Sequence, residues 1–203
     1  MSCQFERHLI NETIRFHGHS CPGLAIGIRA AEAALNEMAG TAQTDLVCVA
    51  ETDMCGVDGI QFLTGCTYGK GNFIHRDYGK MAFSFYNRKS GKGIRLVFRS
   101  EARADLDGEM SALMAKSAEQ TITGEEQERL LQLRQEIEER LMALPIEEVF
   151  TVQQLNRGVP RPAKVLASLV CQECGENTME SRTRRFSGRT LCIPCFAKVE
   201  QKV

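Results

Sequence analysis

Four cysteines near the C-terminus constrain this chain more than any other feature. Cys171 and Cys174 form one C-x2-C pair, and Cys192 and Cys195 form a second after seventeen intervening residues. Each pair makes a knuckle whose two sulfurs can reach one tetrahedral ion, and the spacing falls in the range of a structural four-cysteine zinc site. A unit of about 40 residues buries too little core to fold unaided, and metal ligation supplies the missing stabilisation. Four thiolates leave no open coordination position, so the role expected of this zinc is folding rather than catalysis.

The segment TMESRTRRFSG between the knuckles reads as a hairpin arm carrying Arg182, Arg184 and Arg185, with Arg189 following. Residues 156–203 hold 9 basic and 4 acidic side chains, a net of +5, whereas residues 1–155 hold 16 basic and 22 acidic, a net of −6. A zinc ion held by four thiolates carries about −2 and lowers the module to roughly +3. With Phe186 as the one nearby aromatic for stacking, a solvated or domain-docking face is favoured over a nucleic-acid surface.

The stretch NRGVPRPAK (156–164), with two prolines and a glycine, reads as a linker. It separates an expected α+β domain at residues 1–155 from the zinc ribbon at residues 165–203. Residues 6–16 predict a short helix, and Pro22 opens a longer one with Leu24, Ile28, Ala31, Leu35 and Met38 on one face. DLVCVAET (45–52) predicts a buried strand, and a helix is expected from Asp53 or Met54. CTYGKGNFIHRDYG reads as a loop, and KMAFSFYNR and GIRLVFRS as a hairpin. Thr123 and Glu126 form a capping box ahead of a helix that buries Leu130, Leu133, Ile137, Leu141 and Leu144. Hydrophobic residues make up 43% and charged ones 25%, an ordinary globular balance. No run approaches the roughly 18 apolar residues of a membrane span, and MSCQFERHLI lacks the pattern of a secretory signal. A cytoplasmic location is expected, where cysteines serve as metal ligands or reactive thiols more often than as disulfides.

Within the first domain the chemistry concentrates in HGHSC (17–21), ETDMCGVD (51–58), TGCTYGKGN (64–72) and IHRD (74–77). Cys21 and Cys55 each lie at a predicted helix start, where backbone amides and the helix dipole favour the thiolate. With His19 they form a mixed set suited to zinc or another borderline or soft transition metal. Cys66 is a fourth candidate ligand. It lies eleven residues past Cys55, about 16 Å along a straight helix. His17, Asp58 and Lys70 are candidates for acid, base or substrate contact. Cys48, in mid-strand, and Cys3, in a terminus expected to be loose, take the ordinary reading of small hydrophobes. GCTYGKGN offers GxxxGK after a helix, so it is not a phosphate P-loop.

Together FHGHSCPGLAIGIRAA, ETDMCGVDGIQFLTGCTYGKGN and the terminal ribbon resemble the E-subunit family of formylmethanofuran dehydrogenase. In the resemblance His17, His19 and Cys21 match one element. Asp53, Cys55, Asp58 and Gln61 match a second, and Cys66, Thr67, Gly69, Lys70, Gly71 and Asn72 a third. It implies an α+β core with a metal-binding pocket, often in a homodimer, and links the family by name to one-carbon oxidation on a molybdenum or tungsten enzyme. No pterin-binding or iron–sulfur pattern occurs here, so that activity is not expected of the chain itself.

The expected cofactors are a structural zinc in the ribbon and a second transition metal, zinc by preference, in the N-terminal site. The favoured function is a metal-dependent enzyme or metal-site protein related to that family, with a redox enzyme complex or a small anionic substrate, the latter met by Lys70 and Asn72, as the expected partner. The alternatives are a metal-carrying accessory protein of a redox complex and, third, a nucleic-acid-binding ribbon protein.

Overall fold

Alanine and glycine dominate the helix that opens at Pro22, and they determine how the first unit is built. In the computed structural model, which describes residues 2–199, α1 (Arg7–His17) leads into α2 (Pro22–Glu37). Helix α2 is buried on nearly every side rather than along the single stripe read from its larger residues. Side chains this small let neighbours approach all round. Ala25, Ile26, Ala30, Ala33 and Ala34 join the main core, while Leu24 and Ile28 pack with Cys3, Ile10 and Ile14 in a second cluster.

The main sheet contains β1 (Leu46–Ala50), β2 (Phe73–His75), β3 (Ala82–Asn87), β4 (Gly93–Phe98) and β5 (Phe150–Leu155), in the order β2-β1-β3-β4-β5. Helix α3 (Gly56–Thr64) connects β1 to β2, which run parallel; the other pairings are antiparallel. Residues 73–75, expected to be loop, are therefore a strand. Three residues carry no alternation to read, and the pairing of Cys48, Val49 and Ala50 with Phe73, Ile74 and His75 creates it. Leu46, Cys48 and Ala50 face the main core, and Val47 and Val49 face a smaller cluster with Tyr86, Ile74 and Val159, the period-two alternation of a strand.

Helices α4 (Leu106–Ala118) and α5 (Gly124–Ala143) follow the hairpin, and the short α6 (Ile146–Val149) precedes β5. The capping box of Thr123 and Glu126 is present, with Leu130, Leu133, Ile137 and Leu141 buried. Arg29, only 1% exposed, places Nε 2.9 Å from Glu32 Oε2 and donates to the carbonyls of Met142 and Leu144 at the end of α5. Glu32 accepts from the Gln4 amide at 2.7 Å. Both charges are paired and hydrogen-bonded, the condition for burying them. They tie the N-terminal segment down, so Cys3 is buried and its amide donates to Met142 O.

The second unit begins at Ala163, a division that falls inside the 156–164 stretch. It contains the two-stranded pairs β6 (Ser168–Val170) with β7 (Asn177–Met179) and β8 (Thr183–Phe186) with β9 (Arg189–Cys192), then α7 (Ile193–Ala197). Phe186 packs edge-on against Phe196, ring centroids 6.2 Å apart, and so serves this unit's core. Among the described residues no helix is long and apolar enough to cross a membrane.

Helices α2 and α3 meet backbone to backbone. A Cβ on Gly27 would fall 2.0 Å from the Gly56 carbonyl oxygen, and one on Gly56 2.9 Å from the Gly23 carbonyl oxygen. Gly27→Ala must therefore push the two helices apart, and we expect a loss of about 1–3 kcal/mol or more. Gly108→Ala in α4, where an added Cβ meets nothing within 4 Å, should be neutral or stabilising by up to about 1 kcal/mol. Chemical denaturation of the two variants checks this.

Candidate metal centre

The site grows from three chain breaks that the helices impose. α1 ends at His17, and Gly18, at φ 95°, donates to Ile14 O at 2.8 Å and turns the chain sharply. A left-handed C-cap of this kind suits glycine. His19 and Ser20 cross the gap to Cys21, the extended N-cap of α2, whose Sγ accepts from the Leu24 amide at 3.3 Å. Cys55 is the N-cap of α3. The close crossing of the two helices brings both caps together: a Cβ on Gly23 would lie 3.8 Å from Cys21 Sγ and from Cys55 Sγ, and 3.2 Å from Cys55 Cβ.

One donor atom from each of His17, His19, Cys21 and Cys55 lies within 4.8 Å of the other three. In a tetrahedral zinc site the bond lengths imply ligand separations of about 3.3–3.8 Å, so small side-chain adjustments close the group on an ion. The two imidazoles lie with centroids 4.4 Å apart. His17 Nδ1 donates to Asp58 Oδ2 at 2.8 Å, and a carboxylate only accepts, so Nδ1 carries a proton and, in the neutral imidazole that a metal requires, Nε2 presents its lone pair. That Nε2 is buried without a hydrogen-bond partner, on a side chain only 10% exposed. Asp58–His17 thus has the form of the carboxylate–histidine pair that orients a metal ligand. Burial pushes the Cys21 thiol up to about 11, and the neighbouring Cys55 sulfur adds to the rise against the opposing Leu24 amide. An incoming cation must therefore displace a proton from Cys21.

Of the ligands expected from sequence, His19, Cys21 and Cys55 are brought together. His17, expected as an acid, base or substrate contact, stands among the candidate ligands, and Asp58 is its partner on α3. Cys66 is corrected: it lies past the C-terminal end of α3, fully buried, with its thiol donating to Leu46 O at 3.6 Å. Lys70 is also outside the group, lining a cavity with Gln43, Thr44, Asn72 and Arg88. The nine residues of α3 between Cys55 and Cys66 keep the third motif away from the first two.

Glu138 was not anticipated. Ser20 Oγ donates to its carboxylate, and burial raises the Glu138 carboxyl while nearby His19 opposes the rise. It holds the H-G-H-S-C turn against α5, yet Glu136, Glu138 and Glu139 on one solvated helix gave no sign of which would turn inward.

In the second unit the sulfurs of Cys171, Cys174, Cys192 and Cys195 lie within 4.8 Å of one another, with 3.9 Å between Cys174 and Cys192. That separation matches the edge of a tetrahedral zinc–thiolate site, about 3.8 Å. Amides from Cys174 and Cys192 hold the Cys171 thiol down at about 6, stabilising the thiolate that zinc requires. The unit binds zinc at its C-terminal cysteines. Cys171→Ser should remove one zinc per chain and abolish amide-exchange protection beyond Ala163 while leaving the first unit protected. Metal analysis with hydrogen exchange on the full chain checks both.

Comparison with known proteins agrees with both units. Residues 166–201 match the prokaryotic dksA/traR C4-type zinc finger. A probable S-adenosyl-L-methionine-binding protein of Archaeoglobus fulgidus is 30% identical over 188 residues, covering 89% of this chain and 50% of that protein. The chain thus spans about half the length of that curated relative. The crystal structure of a tungsten formylmethanofuran dehydrogenase FmdE-like protein from Syntrophus aciditrophicus shares the fold, with a TM-score of 0.66 at 23% identity, over 95% of this chain and 93% of that one. Residues 16–151, more than half the chain, match the family described as FmdE, molybdenum formylmethanofuran dehydrogenase operon. The chain belongs to the FmdE family.

Proposed function

We propose that His17, His19, Cys21 and Cys55 hold a transition metal, zinc or an ion of similar softness, and that the chain works as a metal-dependent enzyme or metal-site protein. The observation that carries this reading is the buried, unpartnered Nε2 of His17, whose other nitrogen is fixed by Asp58. An isolated buried acceptor costs free energy, and a metal ion at that nitrogen removes the cost. Two imidazoles and two thiolates suit zinc and its neighbours better than oxygen-seeking cations.

The four donors differ in their freedom. His17, Cys21 and Cys55 are partly shielded, whereas His19 is exposed, which makes it the donor most readily exchanged for water or substrate. When bound with that position open, the metal supplies Lewis-acid polarisation. Asp58 keeps a proton of His17 on Nδ1, Glu138 and Ser20 position the turn, and the Leu24 amide at the N-terminus of α2 offsets part of the burial that holds the proton on Cys21. The completeness of the four-donor set favours one further reading, a metal carrier that keeps all four ligands and gives the ion up to a partner protein. A chelator in excess distinguishes them: a carrier releases its N-terminal metal within minutes, whereas an enzyme retains it.

Metal analysis of the purified full chain should find two metal ions per chain. Cys21→Ser or Cys55→Ser should leave one, and Cys66→Ser should leave two. Asp58→Asn should weaken binding at the N-terminal site about 10–100-fold. One ion per chain, unchanged by Cys21→Ser, would contradict the proposal. Because the free Cys21 thiol titrates near 11, it is protonated at neutral pH and binding expels its proton. Affinity should therefore climb about tenfold per pH unit between roughly pH 6 and 8 from this group alone. Competition against a calibrated chelator checks the sign, and a flat or falling profile would refute it.

A further inference from the structure

Three segments meet beyond the C-terminal end of α3, away from Cys55: the turn before β1, the loop between α3 and β2, and the start of the turn between β3 and β4. Gln43, Thr44, Lys70, Asn72 and Arg88 from these segments line a cavity of about 270 Å³. Among the described residues no carboxylate lines it, and neither Lys70 nor Arg88 forms an ion pair.

Arg88 is held in place without being satisfied. Its amide donates to Asp45 O at 2.8 Å and its Nε to Pro160 O at 3.3 Å, yet its Nη2 is buried with no hydrogen-bond partner. A buried guanidinium N–H without an acceptor is costly, and an oxyanion is the partner a guanidinium binds most strongly. Asn72 supports the loop that carries Lys70: its Oδ1 accepts from the Thr67 amide at 3.0 Å and its Nδ2 donates to Leu46 O at 3.2 Å. The Gln43 amide lies over Gly65, 2.7 Å from where a Cβ would stand. Burial raises the Cys66 thiol, and Lys70 and Arg88 both pull it back, so the two positive fields converge on the same region.

We propose that this cavity is an oxyanion site of the phosphate class, separate from the metal centre. Lys70 and Arg88 are its charged donors, and Gln43 and Thr44 its neutral ones. Donors from three separate segments match the three or more acceptor oxygens of a phosphate group better than the two of a carboxylate. The occupant is either free phosphate or the phosphate of a small ester, since both present the same oxygens.

Calorimetric titration of the full, zinc-loaded chain at low ionic strength, with inorganic phosphate, methyl phosphate and acetate as probes, tests the site. At least one of the two phosphates should bind saturably at one site per chain, and acetate should bind at least tenfold more weakly. Lys70→Gln and Arg88→Gln should each weaken phosphate binding at least tenfold, while Lys92→Gln and Cys21→Ser leave it unchanged. Binding of inorganic phosphate alone assigns the free ion, and binding of methyl phosphate assigns an esterified group. Arg88 also anchors Pro160, so if Arg88→Gln does not fold, the exposed Lys70→Gln carries the test. Absence of saturable phosphate binding, equal affinity for acetate, or unchanged affinity in Lys70→Gln would overturn the proposal.

Discussion

The contact between Gly27 and Gly56 is the constraint on which the rest of the N-terminal unit depends. Two helices can cross with their backbones touching only where neither carries a side chain, and here the positions in question leave no room for a Cβ. The crossing lies one to two turns inside α2 and at the first residue of α3, so it draws the two N-caps, Cys21 and Cys55, to one point. Each cap comes with the positive end of a helix dipole. The turn that joins α1 to α2 then has one short path, and that path carries His17 and His19 past the same point. A backbone packing requirement thereby becomes a four-donor site.

The two sulfur-rich groups of this chain solve different problems. In the C-terminal unit four thiolates close around zinc, and a small core of Leu191, Phe186 and Phe196 packs beside them. There the metal substitutes for the apolar area that so short a segment cannot bury. The N-terminal unit has an ample core of its own, anchored by the buried Arg29–Glu32 pair. There the His/Cys group has one buried imidazole nitrogen left unpaired and one imidazole exposed.

What could be read from the sequence follows the range of the interactions involved. Cys171 and Cys174, like His19 and Cys21, are close enough in the chain that local turns alone bring them together, and both sets were legible. The α+β class and the capping box at Thr123 were legible for the same reason. The place of His17 among the clustered donors was not, because its hydrogen-bond partner Asp58 lies forty-one residues away. Cys66 ranked below Cys55 among the expected ligands because a helix separates them, and it lies in the core beside β1 with its thiol donating to Leu46 O. Strand β2 exists because β1 offers it a parallel edge, and nothing within its three residues announces that. Glu138 reaches the site across 118 residues, a distance at which no spacing rule operates.

X-ray absorption of the zinc-loaded chain, after the ribbon is silenced by replacing Cys171 and Cys174 with serine, tests the central claim most directly. It reports the ligands of the N-terminal ion alone. The account predicts a four-coordinate shell with two sulfurs at about 2.3 Å and two nitrogens at about 2.0–2.1 Å. A shell of light atoms without sulfur, or no zinc retained by this variant, would contradict it.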